Sequence, residues 1–393
     1  MTQSVTVEVF SWWTAPGEAE ALQSLMDLHH DKYPLERIYN AATDPKVTSG
    51  GVEAKQVLQM RLEAGDPPDA FQTNAYELKL GYFKENPDLL TPLDDLFDAQ
   101  GLNDDLAPEV LDDVTVDGHL IAVPVNVHRE NGLFFNKSIF DANGLEPPKT
   151  MADFLDVCEK LKAAGITPLA ISTSQSWIIN KVFLALALGS LGPDKFVDYF
   201  VNKTPVTEAD FAPTIDLLDH VLTDYIDVDG AAVDGYGWTQ AADSLMNGDA
   251  AMFIHGDWAK GYMMQLGWTP NVDFGVVSTP DSGGAFLYGM DVFATPAGAK
   301  HPAEARDFLT TISSAEGQIT FNELKGSSPV RLDLPTSGLD PVAKSIYADF
   351  KSATHRIPTV GLPTAWDDGF GKLAKDHDKQ ALLQTFLDNP IGN

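Results

Sequence analysis

The sequence predicts an α/β protein folded as two lobes, and two observations carry this prediction. The chain has 393 residues, of which 44% are hydrophobic. That length exceeds the roughly 100–200 residues of an ordinary single-core domain, and that apolar content is enough to fold the whole chain. Segments typical of strands and of helices alternate almost from one end of the chain to the other, which is typical of parallel α/β sheets.

The first part of the chain shows this alternation clearly. Val5–Phe10 alternates in the manner of a half-buried strand, and Glu18–Lys32 repeats its apolar residues with the period of a helix. A second helix is predicted over Val52–Ala64, where a glycine ends it, and a short strand over Asp69–Gln72 follows a Pro-containing turn. Two strand–helix units therefore open the first lobe.

A second series of strands and helices begins near residue 150. Thr150 has the position of a capping residue before a predicted helix over Phe154–Ala164, and a strand follows over Ile166–Ser172. The apolar run Val182–Leu191 is too short to span a membrane and predicts a buried helix. The alternation continues with a predicted helix and strand at Thr239–Met246 and Ala250–His255.

Proline and glycine residues mark three segments where the chain is expected to cross between the lobes. These are Val123–His128, the region around Thr279, and Ser328–Pro341. Several crossings of this kind predict a hinge made of more than one segment, and not a single flexible linker.

The charge balance excludes several classes of partner. The 57 Asp and Glu residues against 26 Lys and Arg residues give a formal net charge of −31, which repels nucleic-acid phosphates and anionic lipids. We interpret this charge as a solubilising surface. Cys158 is the only cysteine, so it forms no intrachain disulfide and is expected to be a buried, inert thiol.

The sequence lacks the motifs of the common catalytic and metal sites. It has no phosphate-binding glycine loop, no HExxH, no GxSxG and no cysteine pair, so we expect no cofactor and no metal. His29 and His30 are neighbours that point in different directions on a helix and are expected to lie on a solvated face. A pair of carboxylates for glycoside hydrolysis stays an alternative, because sequence does not give the distance between them.

Four tryptophans stand at the ends of predicted elements. Trp12 and Trp13 follow the first strand, Trp238 is predicted in a loop after two glycines, and Trp258 is predicted to open a helix. Open α/β sheets bind ligands at the carboxyl ends of their strands, so we expect these two indoles to face a cleft. Trp12 and Trp13 are therefore not expected to be both core residues. Indole rings stack on the C–H faces of a pyranose, which favours a sugar ligand.

Five segments, in order along the chain, resemble one known family. They are Ser11-Trp-Trp-Thr14 with Glu18, Gly65-Asp-Pro-Pro68, Pro124-Val-Asn-Val-His-Arg129, Gly256-Asp-Trp-Ala-Lys260 and Lys325-Gly-Ser-Ser-Pro-Val-Arg331. Together they resemble the glucose/mannose-binding proteins of ABC sugar importers, within the family 1 extracellular solute-binding proteins.

This resemblance implies the type II periplasmic binding protein fold, with a ligand cleft between two α/β lobes joined by a multi-segment hinge. The expected first lobe comprises residues 1–124 and 285–335, and the second lobe residues 125–284 and 336–393. The implied function is the delivery of a glucose-like aldohexose or a glucoside to the permease subunits of an importer, without chemical change. A monomer in the periplasm, or tethered outside the membrane, is expected.

The resemblance also assigns the ligand-binding residues. Trp12, Trp13 and Glu18 would form the first loop of the cleft, and Gln72 and Asn74 the next. The second lobe would contribute Trp238 and Trp258, and the first lobe would return with Asp291 and Lys325. Glu18 and Asp291 can accept hydrogen bonds from sugar hydroxyls while Lys325 donates. His128 is expected to be a hinge or cleft-wall residue more than a ligand.

The chain departs from the family pattern in the last loop of the cleft. Glucose binders of the family usually carry a histidine where this chain has Leu362 or a neighbour, and His355 lies too far upstream to replace it. Trp366 is a candidate for an additional stacking surface, which would suit a larger saccharide. A larger saccharide and a non-sugar solute such as a polyamine or peptide therefore stay alternatives.

The beginning of the sequence bears on localisation. Its first residues show neither a basic nor an apolar signal region before the strand at Val5–Phe10. We therefore expect that any export signal was removed or never existed, and that localisation follows from function.

Overall fold

The structure is a computed structural model that describes residues 4–42, 52–233, 235–359 and 361–391. Two compact units divide the chain. Unit 1 comprises Met1–His128, Lys260–Gln265 and Gly289–Tyr347, and unit 2 comprises Arg129–Ala259, Leu266–Tyr288 and Ala348–Asn393.

The strands, in chain order, are β1 (Val5–Phe10), β2 (Glu36–Asn40), β3 (Ala70–Asn74), β4 (Thr115–Val116), β5 (His119–Leu120), β6 (Val123–Pro124), β7 (His128–Arg129), β8 (Gly132–Asn136), β9 (Thr167–Leu169), β10 (Ala250–His255), β11 (Phe274–Ser278), β12 (Ala285–Gly289), β13 (Asp291–Ala294) and β14 (His355–Pro358).

The helices are α1 (Glu18–Lys32), α2 (Val52–Glu63), α3 (Ala75–Lys79), α4 (Tyr82–Glu85), α5 (Asp94–Gln100), α6 (Leu102–Asp105), α7 (Pro108–Asp113), α8 (Lys137–Asn143), α9 (Met151–Ala163), α10 (Ser176–Leu191), α11 (Pro193–Phe200), α12 (Glu208–Asp224), α13 (Val228–Ala231), α14 (Trp238–Asn247), α15 (Trp258–Gln265), α16 (Pro302–Ser313), α17 (Ala315–Lys325), α18 (Pro341–Ser352), α19 (Thr364–Asp376) and α20 (Lys379–Asp388), with a 3₁₀ turn at Pro87–Leu89.

Unit 1 is built on a five-stranded sheet with the order β2-β1-β3-β13-β6. β1 runs parallel to both of its neighbours, whereas β13 returns late in the chain and pairs antiparallel with β3 and β6. Val7 and Val9 of β1 are fully buried, as the alternation of that strand predicts. The insertion of β13 places residues more than two hundred positions apart on adjacent strands.

Unit 2 contains a four-stranded sheet with the order β11-β8-β10-β9. Every residue of β8 and β10 is buried, which agrees with the apolar sequence that precedes Asn136 in β8 and His255 in β10. Helices α10, α12, α19 and α20 pack together beside it, and their aromatic and aliphatic side chains form the core of this unit. The capping box predicted at Thr150 is present, with the Thr150 hydroxyl accepting from the Asp153 amide at 3.1 Å.

The chain passes between the two units at places that differ from the predicted lobe boundaries. The predicted changes at 124, 284 and 335 lie before the observed ones, which follow His128, Tyr288 and Tyr347. The last of these changes lies inside helix α18, after the Pro-rich segment at which the sequence predicted it. A position inside a regular helix carries no proline or glycine signal that would mark a boundary. The short segment Lys260–Gln265 was not predicted to belong to unit 1.

Two smaller predictions about helices were wrong. Trp238 is the first residue of α14 and not a loop residue. His29 is fully buried in unit 1, where its ring nitrogens contact Thr311 Oγ1 at 3.2 Å and Glu36 Oε2 at 3.0 Å, whereas His30 is exposed. Burial, with the charges of His30 and Lys32, lowers the pKa of His29 to about 4.

Candidate functional site

Asp291 is the centre of a polar cluster in unit 1. As the first residue of β13 it pairs in register with Asn74, the last residue of β3. Its Oδ1 accepts hydrogen bonds from Asn74 Nδ2 at 3.0 Å and from Gln72 Nε2 at 3.2 Å. The structure therefore brings together three of the predicted site residues, and the two amides hold the carboxylate in one orientation.

The second oxygen of Asp291 faces residues that follow β6. Asn126 Nδ2 donates to Oδ2 at 3.2 Å, and His128 Nε2 lies at the same distance. Burial raises the pKa of Asp291, but the hydrogen bond and charge of His128 and the charge of Lys325 outweigh it and leave the pKa below its usual value. The carboxylate is therefore ionised at neutral pH and acts as an acceptor.

Asn126 was missed by the sequence reasoning, although it lies in a segment that carried the resemblance. Besides donating to Asp291, its side chain contacts Ser327 Oγ at 3.2 Å. The signal that could have identified it is its position two residues before His128, on the same side of an extended segment. His128 itself is buried against the carboxylate and orients Asp291.

Lys325 and Glu18 form an ion pair in unit 1. Lys325 ends α17, Glu18 begins α1, and Lys325 Nζ donates to Glu18 Oε1 at 2.7 Å. The Lys325 side chain is 2% exposed and its ammonium lies 5.5 Å from the centre of the Trp13 ring. The pair thus places a cation and an anion beside an aromatic face.

The two adjacent tryptophans are more buried than the sequence predicted. Trp13 is 2% exposed and packs between Phe293 and Phe321, with ring centres at 5.6 and 4.9 Å. Trp12 is 9% exposed, and Lys55 Nζ lies 5.6 Å from its ring centre. Both tryptophans are buried core residues, so the expectation that they are not both in the core is wrong.

Lys55 is a second residue that sequence reasoning missed. It donates to the hydroxyl of Tyr76 and to Glu77 Oε1, so its position beside Trp12 is fixed by the first turn of α3. Nothing in its local sequence marks it, because a lysine within a helix normally lies at the surface.

Unit 2 carries an aromatic cluster at the carboxyl end of β10. His255, the last residue of that strand, is fully buried. Three partly exposed tryptophans surround it, with ring centres 5.7 Å away for Trp177, 5.7 Å for Trp238 and 4.8 Å for Trp258. The two tryptophans predicted to bind ligand in this unit, Trp238 and Trp258, therefore both lie beside the His255 ring. Trp177 lies beside the same ring, although the sequence did not single it out.

The last predicted loop contributes differently. Leu362 is partly buried and packs against the core of unit 2. Trp366 is fully buried, stacks on Phe386 with ring centres 3.8 Å apart, and donates its indole N–H to the Asn389 carbonyl at 2.8 Å. The suggestion that Trp366 offers a stacking surface to a ligand is corrected, because its side chain is fully buried inside the core.

The two sets of residues have distinct chemistry. Unit 1 presents carboxylates, amides and an ammonium, and unit 2 presents indoles. Among the residues that the structure describes, no group of three or more acidic, histidine or cysteine side chains could hold a metal ion. Hydrogen-bonding groups of this kind bind polar solutes, and indoles stack on flat, ring-shaped ones.

Comparison with known proteins identifies the family. The family described as "Bacterial extracellular solute-binding protein" matches residues 6–319. The chain belongs to this family. An uncharacterized ABC transporter extracellular-binding protein of Pyrococcus horikoshii is 36% identical over 98% of this chain and 86% of its own length. A "probable sugar-binding periplasmic protein" of Brucella suis is 32% identical over 90% and 82%.

Solved structures show the same two-lobed fold. A chitin oligosaccharide binding protein has a TM-score of 0.82 at 20% identity, covering 98% of both chains. The bacterial solute receptor AcbH, described as having an exclusive preference for β-D-galactopyranose, has a TM-score of 0.80 at 19% identity, covering 98% of this chain and 97% of its own. The predicted type II periplasmic binding protein fold is confirmed by this likeness.

The relatives also decide between binding and catalysis. They are solute-binding proteins and not enzymes, so the expectation of a non-enzymatic chain is confirmed and the glycosidase alternative is dropped. Within the described part of the chain, no helix combines the length and the apolar character needed to cross a membrane.

Proposed function

We propose that this chain is the sugar receptor of an ABC importer, which binds a glucose-like aldohexose or a glucoside and delivers it unchanged to membrane permease subunits. The receptor acts as a monomer outside the cytoplasmic membrane, either free in the periplasm or tethered. Its two lobes close on the sugar by a hinge motion.

The polar cluster of unit 1 is the observation that carries this proposal. Asp291 and Glu18 are acceptors and Lys325 is a donor, and each is held by neighbours within the unit. A pyranose presents hydroxyls that donate and accept at once, and charge-assisted hydrogen bonds to them are roughly twice as strong as neutral ones. A preorganised set of opposite charges suits such a ligand better than it suits an apolar solute or a cation.

The indoles of unit 2 supply the second half of the support. Trp238 and Trp258 are partly exposed next to buried His255. Flat aromatic faces stack on the C–H faces of a sugar ring. The polar groups of unit 1 form hydrogen bonds with hydroxyls and do not cover those C–H faces. The name of the Brucella relative, a probable sugar-binding protein, agrees with this interpretation.

A larger saccharide is the second candidate, and Trp177 is the observation that favours it. A third partly exposed indole lies beside His255, so the aromatic surface is larger than the one that Trp238 and Trp258 would offer to a single sugar ring. The fold does not distinguish a monosaccharide ligand from a larger saccharide, since similar structures include a receptor for β-D-galactopyranose and one for chitin oligosaccharides.

Thermal unfolding with a panel of ligands tests the proposal. A sugar that binds only the folded protein stabilises it by mass action, by about 2.7 kcal/mol at a concentration one hundred times its Kd. We expect glucose, a related aldohexose or a glucoside to raise the Tm, and each ligand to be recovered unchanged. If amino acids or polyamines raise the Tm and no saccharide does, the proposal is wrong.

Small-angle scattering tests the hinge. Closure is favoured when the ligand makes more contacts in the closed state than in the open one. The radius of gyration should therefore fall on saturation with the sugar found in the thermal screen.

A further inference from the structure

Gly261 of α15 has no room for a side chain. A Cβ built on it would lie 2.5 Å from the carbonyl oxygen of Lys325, 2.7 Å from the Lys325 carbonyl carbon and 2.8 Å from the Leu324 carbonyl oxygen. All three are backbone atoms, which cannot rotate away as the end of a side chain does. The end of α17 therefore rests directly on the backbone of α15 at Gly261. Both Gly261 and Lys325 belong to unit 1, whereas the first two residues of α15 belong to unit 2.

The backbone of Gly261 also contacts Gly17, the residue before α1. A Cβ on Gly17 would lie 2.9 Å from the carbonyl carbon of Gly261 and 3.0 Å from its oxygen. Gly17 also has φ +83°, a left-handed conformation that favours glycine. Gly261 is thus in backbone contact with the residue before Glu18 and with Lys325 itself.

Helix α15 is held in place beside this junction. Lys260, the preceding residue, is fully buried and donates to Asp340 Oδ2. The other oxygen of Asp340 accepts the backbone amides of Val342 at 2.8 Å and Ala343 at 3.0 Å, at the start of α18. Because a buried ammonium needs its partner, α15 has little freedom to retreat if Gly261 becomes larger.

We propose that Gly261 is a positioning residue for ligand binding, which sets the spacing of the Glu18–Lys325 ion pair by backbone contact and touches no ligand itself. The inference rests on the proposed function, because it assigns the pair to sugar recognition. An added methyl group at residue 261 separates α17 from α1 and moves Lys325 Nζ away from Glu18 Oε1.

The test compares Gly261→Ala with Gly371→Ala. Gly371 lies in α19 with no atom within 4 Å of a built Cβ and no left-handed φ, so it is a matched control for the same substitution in a helix. Calorimetric titration with the sugar found in the thermal screen should show at least about tenfold weaker binding for Gly261→Ala, since a charge-assisted contact is lost. Gly371→Ala should bind as the wild type does.

A double-variant cycle separates positioning from general damage. If Gly261 acts through Lys325, Gly261→Ala should weaken binding in the wild type but add little in a Lys325→Ala background. A full additive loss, or wild-type affinity in folded Gly261→Ala, overturns the inference. If Gly261→Ala does not fold, Asp340→Asn takes its place in the same cycle, because asparagine still caps α18 while the ion pair with Lys260 is lost.

Crystal structures without ligand distinguish this inference from the proposed function. The inference requires a longer separation between Lys325 Nζ and Glu18 Oε1 in Gly261→Ala than in the wild type, and an unchanged pair overturns it. A displaced pair in a protein that binds no saccharide would show that Gly261 sets the spacing of the pair, and would refute the assignment of that pair to sugar recognition.

Discussion

The candidate residues of the two units differ in kind. In unit 1 an ionised carboxylate lies within 3.2 Å of four side-chain nitrogens, and a lysine–glutamate pair lies nearby. In unit 2 three indoles surround a buried histidine. Hydrogen bonds depend on the position of each hydroxyl, whereas stacking depends on ring area and shape. Under the proposed function, unit 1 would orient the sugar and unit 2 would supply contact area.

Removal of the cation in unit 1 is the strongest test of this division. Lys325→Ala leaves Glu18 with a partly buried, unpaired charge and removes a donor to the ligand, so binding of every accepted sugar should weaken by about 2–5 kcal/mol. The affected partner is Glu18, which contacts Lys325 directly, and Asp291 feels the ammonium only through its charge. Isothermal titration calorimetry measures the loss.

Lys379→Ala provides the control for this change. Lys379 pairs with Asp216 on the exposed surface of unit 2, and such pairs contribute little. Wild-type affinity in Lys325→Ala would show that the ion pair of unit 1 is structural and that the division between the units is wrong.

The second test uses pH and is aimed at the carboxylate of Asp291 in unit 1. Asp291→Asn replaces an acceptor by an amide that faces amide donors, and should lower the free energy of unfolding at pH 7 by about 1–3 kcal/mol. The pKa of Asp291 in the folded protein lies below its usual value, so the charge contributes stability above the unfolded pKa. That contribution is lost as the pH falls through the folded pKa.

Denaturant unfolding at several pH values measures the difference between the wild type and Asp291→Asn. The difference should be constant from pH 7 to about pH 5 and shrink below about pH 4, near the unfolded pKa of an aspartate. A difference that stays the same at low pH would mean that the carboxylate is not the source of the stability.

The fold was largely predictable because its signals are local. The strand at Val5–Phe10 and the helix at Glu18–Lys32 have the predicted bounds, since alternation and helical period reflect burial of one face. The same reasoning could have found two residues that were misjudged. His29 follows Leu22 and Leu25 on the buried face of α1, and Trp366 precedes Phe370 on the buried face of α19.

The site was less predictable because it depends on contacts between distant segments. Asp291 meets Asn74 only because β13 inserts next to β3, and no local pattern records that pairing. Its assignment came from the family resemblance. Trp177 lies in the first turn of α10, before the apolar run that the sequence marked as a buried helix, and only the folded chain shows that it lies beside His255.

The third test removes an indole from unit 2. Trp238→Ala should weaken binding by about 1–2 kcal/mol, since one stacking face is lost while the hydrogen bonds of unit 1 persist. Calorimetry should show a similar loss for sugars that differ only in the configuration of one hydroxyl. Trp268→Ala is the control, because that partly buried indole of unit 2 stacks on Phe274 away from His255.

An unequal loss among such epimers would contradict the division of roles. It would place Trp238 near a particular hydroxyl and make unit 2 a source of orientation as well as of contact area.

The smallest expected change in overall affinity, and the sharpest in selectivity, comes from Leu362→His. Leu362 is partly buried and packs against the core of unit 2. The family resemblance puts Leu362 or a neighbour where a histidine is expected in a glucose binder. A histidine there adds one polar group to a unit whose other candidate residues are aromatic, and this rewards only ligands with a hydroxyl in reach. Affinity for most sugars should therefore change by less than about 1 kcal/mol, while their ranking shifts.

Titration of glucose, mannose, galactose and a glucoside against the wild type and the variant measures the ranking, with Leu362→Met as the control that keeps an apolar side chain of similar volume. If histidine and methionine leave the same ranking, selectivity lies elsewhere, and the polar cluster around Asp291 becomes the part of the protein that distinguishes one sugar from another.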